Sequence, residues 1–200
     1  MTEIKADLVK KLREKSGVGM MECKKALMEC NGDMSKAEII LRERGLAAAA
    51  KKSTRAANQG IIDSYIHPGS KIGVMLEVNC ETDFVARNEV FKELVHNIAL
   101  HIAASAPSYV SSDNIPEEVI NAEKEIYKKQ ALNEGKPEAV LEKIAEGRMK
   151  KFFEENCLLN QPYVRDNDKT IEDLIKESIA KIGENIVLKR FVRFVLGEEI

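Results

Sequence analysis

One short run joins side chains that rarely belong together. In Glu77-Val78-Asn79-Cys80-Glu81-Thr82-Asp83-Phe84-Val85-Ala86-Arg87-Asn88, a carboxylate, Asp83, stands beside a large apolar ring, Phe84. The run begins as a strand end, where Ile72, Val74, Leu76 and Val78 alternate with Gly73, Met75, Glu77 and Asn79. A helical pattern starts soon after. An acid next to an aromatic at such a corner is poor core chemistry and suits a probe aimed at a partner. The plainer alternative is that Thr82 or Asp83 caps the following turn while Phe84 packs beneath it. Periodicity alone favours that alternative.

Bond-making chemistry has less support. The chain has no Gly-rich phosphate loop before a helix, no Gly-x-Ser-x-Gly and no His-Glu-x-x-His. His67 lies beside a turn, and His96 and His101 are five residues apart on one helical stretch, hence on different faces. His67 and His96 read as surface or internally satisfied histidines; His101 is kept as a candidate for a minor partner contact. No two carboxylates sit in an apolar setting that would separate their pKa values. Cys23, Cys30, Cys80 and Cys157 show neither Cys-x-x-Cys spacing nor a histidine cluster. A metal site and a disulfide framework are therefore not expected, and a reducing cytosol fits best. The residues point to binding rather than catalysis, with no cofactor.

Composition narrows the classes further. Two hundred residues can build one sizeable core, or a small module plus a larger one. The balance of 31 basic against 33 acidic residues, net −2, argues against a nucleic-acid binder, which usually carries a basic excess or a basic face. No run approaches a transmembrane span, and the first residues are amphipathic rather than a signal peptide. Trp is absent, so the core must be mostly Ile, Leu, Val and Ala.

The elements that would position the corner follow from periodicity and punctuation. Residues 1–45 read as three short helices: one with Ile4, Leu8 and Leu12, stopped by Gly17; one from about Met20 to Cys30; and one capped by Asp33, with Ala37, Ile40 and Leu41 inward and Gly45 as its stop. Such a module buries too little to shape a reaction pocket and is usually a docking unit. Met20 and Met21 point about 100° apart on a helix. Either one enters the small core, or a flexible thioether is presented to a partner. Residues 46–59, rich in alanine with Lys51, Lys52 and Arg55, read as a helical or partly frayed linker whose charge is a solvated face.

From Gly60 a hairpin is expected over 60–79, turning at Pro68-Gly69. Helices follow: one capped by Asn88 with Phe91, Leu94, Val95, Ile98 and Ile102 as its stripe, one opened by Pro116, one after Gly135-Lys136-Pro137, and one opened by a capping-box-like Thr170-Ile171-Glu172-Asp173 and stopped by Gly183. Val187 to Leu196 reads as a third strand, with Leu188, Val192, Phe194 and Leu196 on one face. The fold class is α+β: a three-helix N-terminal module, then residues 60–200 as a small antiparallel sheet covered by helices.

Several ordered segments carry a family likeness. The corner Glu81-Thr82-Asp83-Phe84-Val85-Ala86-Arg87-Asn88 resembles the core signature of the elongation factor Ts family. So do Leu8 to Arg13, Gly17 to Leu27, Glu146 to Phe152, Asn160-Gln161-Pro162 and Lys181 to Ile186, in the family's order and over nearly the whole chain. The resemblance implies a ubiquitin-associated-like N-terminal module and a partner, elongation factor Tu, met with GDP bound and left nucleotide-free. It implies docking through Arg13, Met20 and Met21. Thr82, Asp83, Phe84 and Val85 would enter near the magnesium and phosphate site, Phe84 as the wedge and Asp83 against the Mg²⁺ network. Longer members carry a second core subdomain and a coiled-coil insertion that this sequence lacks, which makes a homodimer the expected substitute. Two alternatives remain at this level: an RNA-binding module using Lys51 to Arg55, and a ubiquitin-associated-like adaptor using only the first 45 residues.

Overall fold

Gly17, Asp33, Asn88 and Gly183 punctuate the chain as their chemistry dictates, and the elements fall between them. The computed structural model describes residues 4–198. Its order is α1 (Ala6–Ser16), α2 (Met20–Glu29), α3 (Met34–Lys52), β1 (Gln59–Ile66), β2 (Ile72–Cys80), α4 (Asp83–Ala86), α5 (Glu89–Ser105), α6 (Glu117–Asn133), α7 (Glu138–Asn156), β3 (Pro162–Tyr163), β4 (Asp166–Thr170), α8 (Ile171–Ile182) and β5 (Ile186–Val195). The class is α+β, with a three-stranded sheet in the order β1-β2-β5 and a separate β3-β4 pair. Among the described residues no helix is long and apolar enough to cross a membrane.

The residues gather into two compact units. One holds the N-terminal segment through Ile61, Val78–Leu94 and Leu174–Val187; the other holds Ile62–Glu77, Val95–Asp173 and the chain from Leu188.

In the first unit, Val9, Leu12, Cys23, Ala26, Leu27, Ala37 and Leu41 form the buried centre of the three-helix module. Gly17, at φ +69°, donates its N–H to the Arg13 carbonyl and closes α1. The Asp33 side chain accepts the Lys36 N–H at 3.1 Å and opens α3. Gly45 does not stop that helix, which runs on to Lys52. A side chain at Gly45 would meet the Ala180 Cβ at 3.0 Å, so this glycine answers to the close approach of α8. The first part of the alanine-rich segment is therefore helix. Gly60 is constrained more sharply: at φ +145° a Cβ there would lie 2.2 Å from the Val78 carbonyl oxygen.

In the second unit, the start of α8 carries the expected reciprocal cap. Thr170 Oγ1 accepts the Asp173 N–H at 3.1 Å while Asp173 Oδ2 accepts the Thr170 N–H at 3.2 Å. The hairpin closes through His67 N–H to the Ile72 carbonyl at 2.9 Å. The β3-β4 pair was not foreseen, because Pro162–Tyr163 and Asp166–Thr170 are short and lack alternating apolar residues.

The expected face of β5 is corrected. Ile186 and Leu188 are buried, Lys189 and Arg190 are both exposed, and alternation resumes one residue out of step. Because the side-chain period is two, such a slip carries every later residue to the opposite face. Val192, Phe194 and Leu196 are thus exposed, not partners of Leu188. Ile62, Ile66 and Met75 on β1 and β2 are exposed as well.

Replacing Gly60 with alanine should destabilise the fold by about 1–3 kcal/mol, since neither the backbone angle nor the facing carbonyl can yield cheaply. Urea unfolding of Gly60→Ala checks this; a midpoint equal to that of the parent chain would contradict the constraint.

Candidate functional site

The corner after β2 is built on one hydroxyl. Thr82 adopts an extended conformation, and its Oγ1 accepts the Val85 N–H at 3.4 Å, which caps the single turn α4. That half of the plainer expectation holds. The other half does not: Phe84 is 81% exposed and packs under nothing. Ala86 is buried and anchors the turn, and Asn88 starts α5 by accepting the Val90 N–H at 2.8 Å. Asp83 lies 3.0 Å from Arg87 as an (i, i+4) ion pair on the same turn.

Beneath the turn is a polar junction that patterning missed. Glu184 Oε2 accepts the N–H groups of Glu81 and Thr82 at 3.1 and 3.0 Å, and its Oε1 accepts the Thr82 hydroxyl at 2.7 Å. In return Glu81 accepts the Asn185 N–H at 2.6 Å, with the Arg55 guanidinium 3.5 Å from the same carboxylate. Asn185 is buried, and its amide donates to the carbonyls of Ser53 and Arg55 at 3.3 and 2.8 Å. Three backbone segments, distant in sequence, share this junction. Cys80 closes it from below: its buried Sγ donates to the Thr82 carbonyl at 3.2 Å. Burial, and secondarily the Glu184 charge, push the Cys80 thiol pKa up, so it stays a protonated donor.

Arg13 is exposed on α1, and Met20 and Met21 are both exposed at the start of α2. Neither methionine enters the small core, because Cys23, Ala26 and Leu27 take the inward positions of α2. Arg13, Met20, Met21 and Thr82 to Val85 fall in the same compact unit.

His101 belongs to the other unit and is fully buried, which corrects its candidacy as a contact residue. Its ring nitrogens are both engaged inside the protein. Nδ1 accepts the Val164 N–H at 3.3 Å, so Nε2 carries the proton and donates to Gln161 Oε1 at 3.0 Å. Gln161 is orientated for this by donating its amide to the Glu155 carbonyl at 2.8 Å. Sequence spacing placed His101 on a helix but could not say which face Gln161 would cover.

The distinctive side chains are thus an exposed aromatic on a braced turn and exposed methionines on a small helical module. Among the described residues, no group of three His, Cys, Asp or Glu side chains is placed to hold a metal ion. A family model described as elongation factor TS matches residues 47–198. The elongation factor Ts of Thermoanaerobacter sp. is 60% identical over 197 residues, covering 98% of this chain and 97% of that protein. That of Coprothermobacter proteolyticus is 62% identical over 196 residues, covering 98% and 100%, and that of Moorella thermoacetica 59% over 192 residues, covering 96% and 95%. The chain belongs to the elongation factor Ts family of translation elongation factors.

Burial holds the His101 pKa below its ordinary 6.5. The unfolded chain therefore takes up that proton first, and the stability present above the ordinary value is lost as pH falls from there toward the folded value, by at most about 1.4 kcal/mol per pH unit. Urea unfolding at roughly pH 8 and pH 5 should show a larger loss for the parent chain than for His101→Gln. Equal losses would contradict a buried neutral imidazole.

Proposed function

We propose that this protein is a guanine-nucleotide exchange factor for the translational GTPase elongation factor Tu. It binds the GDP-bound form, opens the Mg²⁺ and phosphate site, and leaves a nucleotide-free complex that GTP then breaks up. The observation that carries this reading is Phe84, a large ring held 81% exposed on a turn that the protein braces from below. In this reading the N-terminal module, residues 1–45, docks on the GTPase through Arg13, Met20 and Met21. The corner Thr82 to Val85 then enters the nucleotide site, with Phe84 as the wedge. Asp83 disturbs the Mg²⁺ ligands; its pairing with Arg87 is a surface ion pair worth only about 0–1 kcal/mol and is readily exchanged.

Magnitudes set the division of labour. Burying one such ring is worth about 1.5–3 kcal/mol. Weakening bound GDP by a factor of about 10⁴ needs about 5.5 kcal/mol of differential binding. The wedge alone is insufficient, so the docking surfaces supply the remainder by binding the nucleotide-free GTPase more tightly, and linkage makes the effect reciprocal.

The exposed sheet face suggests how the remaining surface is used. Ile62, Ile66, Met75, Val192 and Phe194 leave five large apolar side chains in water. A second copy of the chain, related by a twofold axis, would cover them in both molecules at once. Sedimentation should then show a dimer that Phe194→Glu converts to monomer; a monomer for the parent chain at all working concentrations would remove this part of the proposal.

Release of a fluorescent GDP analogue from elongation factor Tu tests the main reading. Catalytic amounts of the protein should accelerate release, and Phe84→Ala should lower the maximal rate about ten- to a hundredfold. Met20→Ala with Met21→Ala should instead raise the concentration needed for half-saturation. No acceleration by the parent chain would defeat the reading, and a wild-type maximal rate in Phe84→Ala would remove the wedge.

A further inference from the structure

A turn of four residues has too few internal hydrogen bonds to hold its own direction. What aims Phe84 is therefore whatever holds Glu81 and Thr82, and that is Glu184. One oxygen of its carboxylate takes both backbone N–H groups and the other takes the Thr82 hydroxyl proton, at 2.7 to 3.1 Å. With that proton committed, the Thr82 oxygen turns a lone pair toward the Val85 N–H, so Glu184 orients the cap as well as the strand end. The reciprocal bond from the Asn185 N–H to Glu81 makes the brace two-way.

We propose that Glu184 is a positioning residue for nucleotide release. It acts through Thr82 to order the Phe84 turn before the GTPase is met, so that none of the interaction free energy goes into ordering the loop on binding. The proposal rests on the exchange-factor reading above. Docking through Arg13, Met20 and Met21 does not pass through this turn, so losing Glu184 affects the step after docking.

The test has an arm that uses the GTPase and an arm that does not. In GDP release, Glu184→Ala should lower the maximal rate about tenfold with half-saturation changed less than about twofold. Glu184→Gln, which keeps an acceptor oxygen for the two N–H groups, should recover most of the rate. In a Phe84→Ala background, Glu184→Ala should have no further effect, because it acts through the ring already removed. Since the chain has no Trp, Phe84→Trp supplies a single reporter whose anisotropy in the free protein should fall when Glu184→Ala is added. Thr82→Val, which removes only the hydroxyl, replaces Glu184→Ala in every arm if that variant does not fold. Additive effects with Phe84→Ala, a defect confined to half-saturation, or an unchanged maximal rate would each overturn the proposal. Failure of the parent chain to release GDP would defeat the exchange reading instead, and unchanged anisotropy would still overturn the brace independently.

Discussion

Backbone N–H groups that emerge from a strand end without a sheet partner need an acceptor, and here the acceptor is a carboxylate a hundred residues further along the chain. Glu184 meets the N–H groups of Glu81 and Thr82, while Glu81 meets that of Asn185. Hydrogen bonds to charged groups are worth about 1.5–3 kcal/mol each. Without them the corner would be a surface loop free to fold its aromatic ring back onto the protein, as burial of a phenyl ring ordinarily dictates. The exposure of Phe84 is thus maintained by polar contacts beneath it rather than by anything the ring itself gains.

The helix that precedes this carboxylate, α8, also meets the N-terminal module. Gly45 on α3 lets the Ala180 face of α8 approach closely, and Gly17 at the end of α1 stands against the Lys181 stem. Glu177, Ala180 and Lys181 of α8 line a cleft of about 220 Å³ with α1 and α3, and Glu184 follows the end of α8 after one glycine. Exposed Arg13, Met20 and Met21 therefore share one compact unit with the projecting corner. Asn185 adds a second connection, because its amide holds the carbonyls of Ser53 and Arg55 just beyond α3. A single helix and the residue after its stop thus touch both the N-terminal module and the projecting corner.

What was legible in the sequence was local. Asp33, Asn88 and the Thr170–Asp173 pair cap the helices that follow them because a short polar side chain can reach an N–H two or three residues on. The stripe of α5 was readable from its period of about 3.6 residues, and the hairpin turn at Pro68-Gly69 from the backbone preferences of those two residues. Gly45 was misread because a helix-stopping glycine and one making room for a neighbour are the same letter; Ala180 distinguishes them. The face of β5 was misread because a one-residue slip at Lys189-Arg190 leaves both halves of the strand looking regular. Phe84 and Asp83 were singled out by their odd pairing, but Glu184 read only as one residue of the Lys181 to Ile186 family segment, with no role of its own.

By itself the sequence determined the class, the boundaries of most elements and the family, since caps, turns, periodicity and ordered motifs depend on neighbours a few residues apart. Only the tertiary structure decided that Phe84 is exposed, that Met20 and Met21 both stay out of the core, that His101 is sealed against Gln161, and that Glu184 holds Thr82. Each of these depends on a partner tens of residues away, sixty for His101 and about a hundred for Thr82, and no periodic pattern spans that distance. Burial and hydrogen bonding are properties of what surrounds a side chain, and the surroundings exist only once the chain has folded.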